Sequence, residues 1–308
     1  MKDSQKKKLK KTTVSRALFF AAVVTLPLIQ YACMSLGTKI NAIIMSFQKY
    51  DYSSSGVGYD VTFAGFYNFA EAFKIISEKS YMIRISLLGF LVMMCISYPL
   101  ALIFSYYIYK KFLLSGFFRV ILFLPQVISS LIFATLFKYM VGTLYMEVFG
   151  AEQGLLSNPD TALGTVLFFN VWVSFGINVL MFSNAMGNID ESVVESAQLD
   201  GVNVLQEFFH ITIPGAWTTI ISCVIISTVG IFTNQMYMFD MFGEAARFEI
   251  ASLGYFLYQK ASVADYVQSA TEPSLSILSA LGLIFTVILM VASGIIKRAL
   301  TKYGPSAD

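Results

Sequence analysis

Glu195-Ser196-Ala197-Gln198-Leu199-Asp200-Gly201, nine further residues, and then Ile211-Thr212-Ile213-Pro214 form the centre of a polar island, residues 187–216, set between two apolar runs. The island carries Asp190, Glu191, Glu195, Asp200 and Glu207 and has no Lys or Arg. Asp190 or Ser192 supplies an N-cap for a helix through Val193, Val194, Ala197 and Leu199. Gly201 offers a position that turns with positive φ at no steric cost. Val204, Leu205, Phe208 and Phe209 share one face of a second helical segment, which Pro214 stops. The pattern predicts helix, turn and helix, an acidic and apolar knob hung between two long greasy segments.

Working outward, those flanking segments are residues 162–186 and 217–238. Four more apolar blocks lie beyond them: 17–36 with an amphipathic extension over 40–47, 82–109 around Pro99, 117–140 around Pro125, and 275–296. Blocks of this length cross the ~30 Å hydrocarbon layer of a bilayer. The whole chain of 308 residues is 56% hydrophobic and only 13% charged, against about 25% charged in a soluble domain. Each crossing segment must satisfy its own backbone polar groups, which a helix does. The short alternating segments of an outer-membrane barrel are absent. The expectation is an all-α membrane protein of about six transmembrane helices. It divides into a basic N-terminal segment 1–16, a transmembrane domain 17–300 that carries the loop 187–216, and a tail 301–308.

The net charge of +2 says less than its placement. Lys2, Lys6, Lys7, Lys8, Lys10, Lys11 and Arg16 crowd the first 16 positions. Lys110, Lys111 and Arg119, then Lys297, Arg298 and Lys302, follow at alternate span ends. This bias predicts a multi-pass cell-membrane protein with both termini cytoplasmic. The acidic island breaks the pattern, although carboxylates weigh little in topology. The basic start and first apolar run have the form of a signal peptide, and Tyr31-Ala32-Cys33 faintly resembles a lipoprotein cleavage site. Five more spans follow and the residues before Cys33 match poorly, so retention as a span is expected. Cys33, Cys95 and Cys223 read as small core residues, not as a disulfide or metal framework. Arg84 and Lys138 read as snorkelling residues near span ends. The segment 239–273, with Leu253, Tyr255, Phe256 and Tyr258, reads as a short helix along the outer surface.

The spacing across 195–214 resembles the EAA signature of ABC importer permeases: Glu-Ala-Ala, three residues, Gly, nine residues, Ile-x-Leu-Pro. Ser196 stands in place of one alanine, Ile213 in place of the leucine, and Asp190 where the family often has proline. The resemblance extends to Ser46-Phe47 with Tyr50-Asp51, Phe63-Ala64-Gly65-Phe66-Tyr67-Asn68-Phe69, Phe118-Arg119 with Leu124-Pro125, and Asn170-Val171-Trp172. These segments are similar to the sugar permeases of the maltose-importer family. The resemblance implies a type I (MetI-like) importer fold. It implies that Glu195, Ser196, Ala197, Asp200, Gly201 and Pro214 build the coupling helix that docks on ATP-binding cassette ATPase subunits. It also implies a second permease subunit, an extracytoplasmic solute-binding protein, a sugar-like solute and no nucleic acid. The chain lacks a Gly-x-x-x-x-Gly-Lys-Ser/Thr loop, so ATP and magnesium are expected on the partner and no cofactor or metal on this chain.

Polar residues inside the apolar blocks are Gln126, Ser129 and Ser130; Asn170, Trp172, Ser174 and Asn178; and Ser222, Ser227, Thr228, Asn234 and Gln235. Amides and hydroxyls suit a neutral sugar, whereas an anion would favour mid-span Arg or Lys. Counted from the shared motifs, the resemblance places sugar contacts on Gln126, Ser130, Asn170, Ser174, Ser227 and Asn234, and departs from the family at Ile177 and Ile231. The same side chains also serve to hold helices together, so both roles stay open. An ABC permease for another small solute is the alternative. An ion-coupled transporter would show mid-span carboxylates and inverted repeats. A membrane enzyme would have to rest on the lone His210, or on Glu195 and Asp200 without a pocket.

Overall fold

The computed structural model describes Arg16 and residues 19–52, 59–263 and 274–305. Most of the basic segment 1–16, and residues 306–308 of the tail, lie outside the described residues. In chain order the elements are α1 (Phe19–Ser46), strands β1 (Gln48–Tyr52) and β2 (Tyr59–Phe63), α2 (Tyr67–Glu78), α3 (Ser80–Tyr109), α4 (Ser115–Val127), α5 (Ser130–Phe149) and α6 (Pro159–Met186). They continue as α7 (Glu191–Leu199), α8 (Val204–Gly215), α9 (Trp217–Gly230), α10 (Met238–Phe242), α11 (Leu253–Val263) and α12 (Leu275–Tyr303). Among the described residues five helices, α1, α3, α5, α6 and α12, are long and apolar enough to cross a membrane; α8 and α9, bent by 65° at Ala216, bring the number to six when the pair is taken as one span.

The spans are helical as the apolar blocks require, with one addition. β1 and β2 pair antiparallel, Gln48 opposite Phe63 and Tyr52 opposite Tyr59, because both segments alternate polar residues with aromatic or β-branched ones. Two blocks divide differently from the expectation. The block 117–140 is two helices: α4 ends at Ile128, where the backbone turns extended (ψ 140°), and α5 begins two residues later. Pro125 withholds its own N–H inside α4 and weakens the ladder just before this break. The block 217–238 stops at Gly230, and Met236 and Tyr237 adopt positive φ (51° and 58°). Non-helical backbone at that depth survives only where protein covers it. In the block 82–109, a widened π turn over Met93–Ser97 stands just before Pro99, which brings no N–H to the helix ladder.

The chain forms two compact units, residues 1–73 with 273–283, and residues 74–272 with 284–308. In the first, the hairpin is tied to the end of α1. The Asn68 Nδ2 donates to the carbonyls of Ser46 and Gln48 at 3.0 and 2.8 Å, and Phe47, Phe66 and Phe69 pack ring against ring. In the second, the core runs through Tyr98, Ala101 and Tyr106 on α3, Val179, Phe182 and Met186 on α6, and Ile220 and Cys223 on α9. α4 lies on α6 so closely that a Cβ on Gly176 would collide with the Leu122 carbonyl oxygen. Asn158 caps α6 by accepting from the Asp160 N–H at 3.0 Å, with Pro159 in the first turn.

Three smaller expectations change. Cys223 is buried, but Cys33 and Cys95 are exposed on their helices. Lys138 sits in mid-helix on α5, not at a span end, and its ammonium donates to the Met241 carbonyl at 3.1 Å, so the charge answers the last carbonyls of α10. The start of α11 is drawn inward instead of lying along a surface: Leu253, Tyr255 and Phe256 are among the most buried side chains of the protein, whereas Tyr258 stays exposed. The Ser86 hydroxyl on α3 accepts from the Leu253 N–H at 3.0 Å and fixes the start of α11.

Candidate solute cavity and coupling element

Four of the six polar positions singled out in the spans meet in one cavity. Asn170 and Ser174 on α6, Ser227 on α9 and Asn234 just beyond it line a space of about 380 Å³, within the range of small-molecule sites. Gln126 and Ser130 do not reach it; with Pro125, Phe169 and Tyr237 they line a separate space of about 160 Å³ beside the α4–α5 break. Among the described residues no charged side chain lines the larger cavity, and Phe90, Ile177, Ile231 and Met236 supply its apolar wall. Those two isoleucines are the positions that depart from the family pattern.

The four side chains are not equally free. The Ser227 hydroxyl is bonded to the Tyr98 hydroxyl at 2.6 Å, and that tyrosine also donates to the Cys223 carbonyl at 3.0 Å. The Asn234 Oδ1 accepts from the Met236 N–H at 2.8 Å, an Asx turn that carries the chain out of α9. Asn170 and Ser174 make no side-chain hydrogen bond to other described residues, so their groups remain for an occupant. The Gln126 amide already donates to the Val173 carbonyl and ties α4 to α6. Helix-binding duty and cavity duty are thus divided among these residues. Tyr98 and Ser86 are polar lining residues that the sequence did not point to; the one mark Tyr98 carries there is its place before Pro99.

The polar island folds as helix, turn and helix. The Asp190 Oδ1 accepts from both the backbone N–H and the hydroxyl of Ser192, at 3.0 and 2.9 Å, and these bonds hold its carboxyl below the usual carboxylate range. α7 ends in a Schellman motif: Gly201 sits at φ +77°, its N–H meets the Gln198 carbonyl, and the Val202 N–H meets the Ala197 carbonyl. Asn203 opens α8 with a reciprocal capping box to Gln206, at 2.9 and 3.0 Å. Glu195, Ser196 and Asp200 are exposed, whereas Ala197 is buried and faces the body of the protein. Leu199 at the tip is 90% exposed, and Val204, Leu205 and Phe209 are also exposed. Two expectations are corrected. Only Phe208 of the second apolar face is buried, against the Tyr106 ring, and Pro214 lies inside α8, with the bend falling two residues later at Ala216. His210 is exposed.

The island's lack of Lys and Arg has a spatial answer. A groove of about 820 Å³ beside α7 is bordered by Glu191 and Glu195 on one side and by Lys110, Lys111 and Arg119 on the other. Lys110 reaches further, to the buried Glu207 of α8 at 2.5 Å.

Residues 97–302 match the family model of the binding-protein-dependent transport system inner membrane component. Among curated relatives, the probable ABC transporter permease protein YurN of Bacillus subtilis is 32% identical over 168 residues, 51% of this chain and 57% of that one. The arabinooligosaccharides transport system permease protein AraP of Halalkalibacterium halodurans is 25% identical over 282 residues, 86% of this chain and 82% of that one. The chain thus spans little more than half the length of the first relative and most of the second. Among solved structures, a bacterial ABC transporter that imports the acidic polysaccharide alginate matches with a TM-score of 0.74 at 18% identity, over 95% of this chain and 98% of the other. At that identity the likeness speaks for the fold.

Proposed function

Because the chain belongs to the family of binding-protein-dependent transport system inner membrane components, we propose that it is the pathway-forming subunit of an ATP-driven importer for a neutral sugar or oligosaccharide. One observation carries the choice of solute: among the described residues, the cavity between α3, α6 and α9 is lined by amides, hydroxyls and apolar groups and by no charge. Neutral hydroxyl-rich solutes match such a wall; a uronate would bring carboxylates that nothing there neutralises. The name of the relative AraP favours an arabinose-type oligosaccharide, and the alginate importer's acidic cargo does not transfer to this cavity. In this reading Asn170 and Ser174 meet the solute directly. Ser227 and Asn234 present the hydrogen-bonding capacity left by Tyr98 and Met236, and Gln126 and Ser130 line the approach beside the α4–α5 break.

The partners follow from the same reading. Separate ATPase subunits hold ATP and magnesium, a second permease completes the pathway, and an extracytoplasmic binding protein delivers the solute. The element Glu191–Gly201 docks on the ATPase through exposed Leu199, Glu195, Ser196 and Asp200, while Ala197, Gly201 and Pro214 shape it. Both termini and this element face the cytoplasm. The Lys110, Lys111 and Arg119 cluster beside the acidic helix supports that orientation, since such clusters mark cytoplasmic loops. A two-state shift of the docked element then alternates access to the cavity.

The test is uptake into proteoliposomes that contain the chain with its ATPase, second permease and binding protein. Neutral arabino-oligosaccharide should enter in an ATP-dependent way and oligouronate should not. Asn170→Ala should raise the half-saturating solute concentration about three- to tenfold, the loss of one hydrogen bond. ATP-independent uptake by the chain alone would overturn the importer reading. Labelling of Leu199→Cys by an impermeant thiol reagent from outside intact cells would overturn the orientation.

A further inference from the structure

α3 changes partners partway along its length, and we propose that it is jointed there, so that its second half, residues 98–109, carries the motion of the coupling element to the cavity wall at Tyr98. The inference rests on the importer reading above and adds to it the part of the chain that moves.

The joint is marked in the backbone. Across Met93–Ser97 the ladder widens, and the Tyr98 N–H takes the Met93 carbonyl, five residues back. Pro99 follows with no N–H of its own. Ser97 is fully buried, yet its hydroxyl has no hydrogen-bond partner among the described residues. A helical serine can bond the carbonyl four residues back. For Ser97 that carbonyl is Met93, which the widened turn gives to Tyr98 instead. The π turn thus leaves unmade a bond that an ordinary α register would offer, and a buried unmade bond favours the alternative arrangement.

The two sides of the joint hold different neighbours. Before it, the Lys79 ammonium lies over the Phe256 ring at 5.3 Å, the Ser86 hydroxyl accepts from the Leu253 N–H at 3.0 Å, and Gly89 sits against the Met236 Sδ. That half belongs with α11 and the turn after α9. Beyond it, the Phe104 and Phe175 rings stand 5.5 Å apart, and the Ser105 hydroxyl reaches the Val179 carbonyl of α6 at 3.0 Å. The end is held by α8: the Tyr106 ring packs on Phe208 at 5.1 Å and Lys110 meets Glu207 at 2.5 Å. The second half begins at Tyr98, bonded to the Ser227 hydroxyl at 2.6 Å and to the Cys223 carbonyl at 3.0 Å, both on α9 and both at the cavity.

Magnitudes make the lever workable. At about 1.5 Å per residue, Lys110 lies about 17 Å along the helix from Pro99. A tilt of about 10° at the joint carries Lys110 about 3 Å and the Tyr98 hydroxyl, about 6 Å off the axis, about 1 Å. A bond of 2.6 Å to Ser227 does not survive that shift. A small displacement of α8 therefore unlatches α3 from α9 and opens the cavity wall between them.

The experiment uses the assembled transporter, the chain with its ATPase, second permease and binding protein in proteoliposomes. With Cys33→Ser and Cys95→Ser, both at exposed positions, Cys223 is the one thiol left in the chain and reports on the wall beside Tyr98. Its labelling by a small methanethiosulfonate should differ about fivefold or more in rate between nucleotide-free complex and complex held by a non-hydrolysable ATP analogue. Lys110→Met should still co-purify with the ATPase, yet lose about half or more of that difference and about tenfold in uptake. A packing role alone would lower assembly and leave the nucleotide response of the assembled fraction intact; that outcome overturns the proposal. So does a Cys223 rate indifferent to nucleotide while the parent still imports solute on ATP. A parent that imports nothing on ATP fails the importer reading itself, and this proposal with it. If Lys110→Met does not assemble, Pro99→Ala leaves the grip intact and returns an N–H to the joint. It should reduce the difference about twofold, and an unchanged difference overturns the proposal.

Discussion

Lys110 and Glu207 are separated by nearly a hundred positions in the chain, yet their side chains meet at 2.5 Å with the carboxylate almost fully buried. Among the described residues the ammonium is the cation paired with the Glu207 Oε1. The same ammonium lies over the Tyr106 and Tyr109 rings, and the Tyr106 hydroxyl donates to the Val204 carbonyl at 3.4 Å. The end of α3 thereby grips the start of α8. Removing one partner strands a buried charge, so Lys110→Met should cost about 3 kcal/mol, the low end for a broken buried pair because Lys110 keeps some exposure. Adding Glu207→Gln should recover part of that loss, read as the coupling in a double-mutant cycle of thermal unfolding in detergent. Gly176 is the second sensitive position. Gly176→Ala must push α4 off α6 at the Leu122 carbonyl, with an expected loss of about 1–3 kcal/mol by the same measurement.

The two short helices of the coupling element owe their boundaries to caps more than to burial. Asn203→Ala removes a capping box and should cost about 1 kcal/mol, seen as faster amide exchange over Val204–Glu207 with α6 unchanged. Asp190 adds a pH dependence of known sign. Its folded carboxyl is held low by the bonds from Ser192, so its contribution is fully present above the ordinary carboxylate value near 3.9 and lost as pH falls through the lowered folded value. Exchange protection of α7 should therefore be flat across neutral pH and decline only below about pH 4, and Asp190→Asn should abolish that decline while keeping the cap. Flatness in the variant and the parent alike down to acid would refute the assignment.

At the scale of the whole molecule, the cavity depends on a discontinuous span: α9 ends at Gly230 and the backbone turns inward around Asn234, whereas the α4–α5 break at Ile128 and Ser129 borders the smaller space. Ser174→Trp places a large ring where Asn170, Ser227 and Asn234 converge. It is expected to abolish solute uptake by the assembled transporter while the chain still purifies with its partners. Uptake at the parent rate would place the pathway elsewhere.

Hydropathy and spacing were sufficient for the helical class, the number of crossings and the helix–turn–helix of residues 187–216, because these depend on local quantities: apolar length against bilayer thickness, cap residues, and a glycine at a left-handed turn. The polar residues of the spans were equally visible, but not their division into Asn170, Ser174, Ser227 and Asn234 on one cavity and Gln126 and Ser130 on another. Nor did any local pattern reveal Tyr98 on Ser227, Lys110 on Glu207, or Leu253 and Tyr255 drawn into the core. Those pairings depend on where the helices break and which faces then meet, and a side chain's neighbours across such contacts are set by packing between distant segments, which periodicity along one segment does not encode.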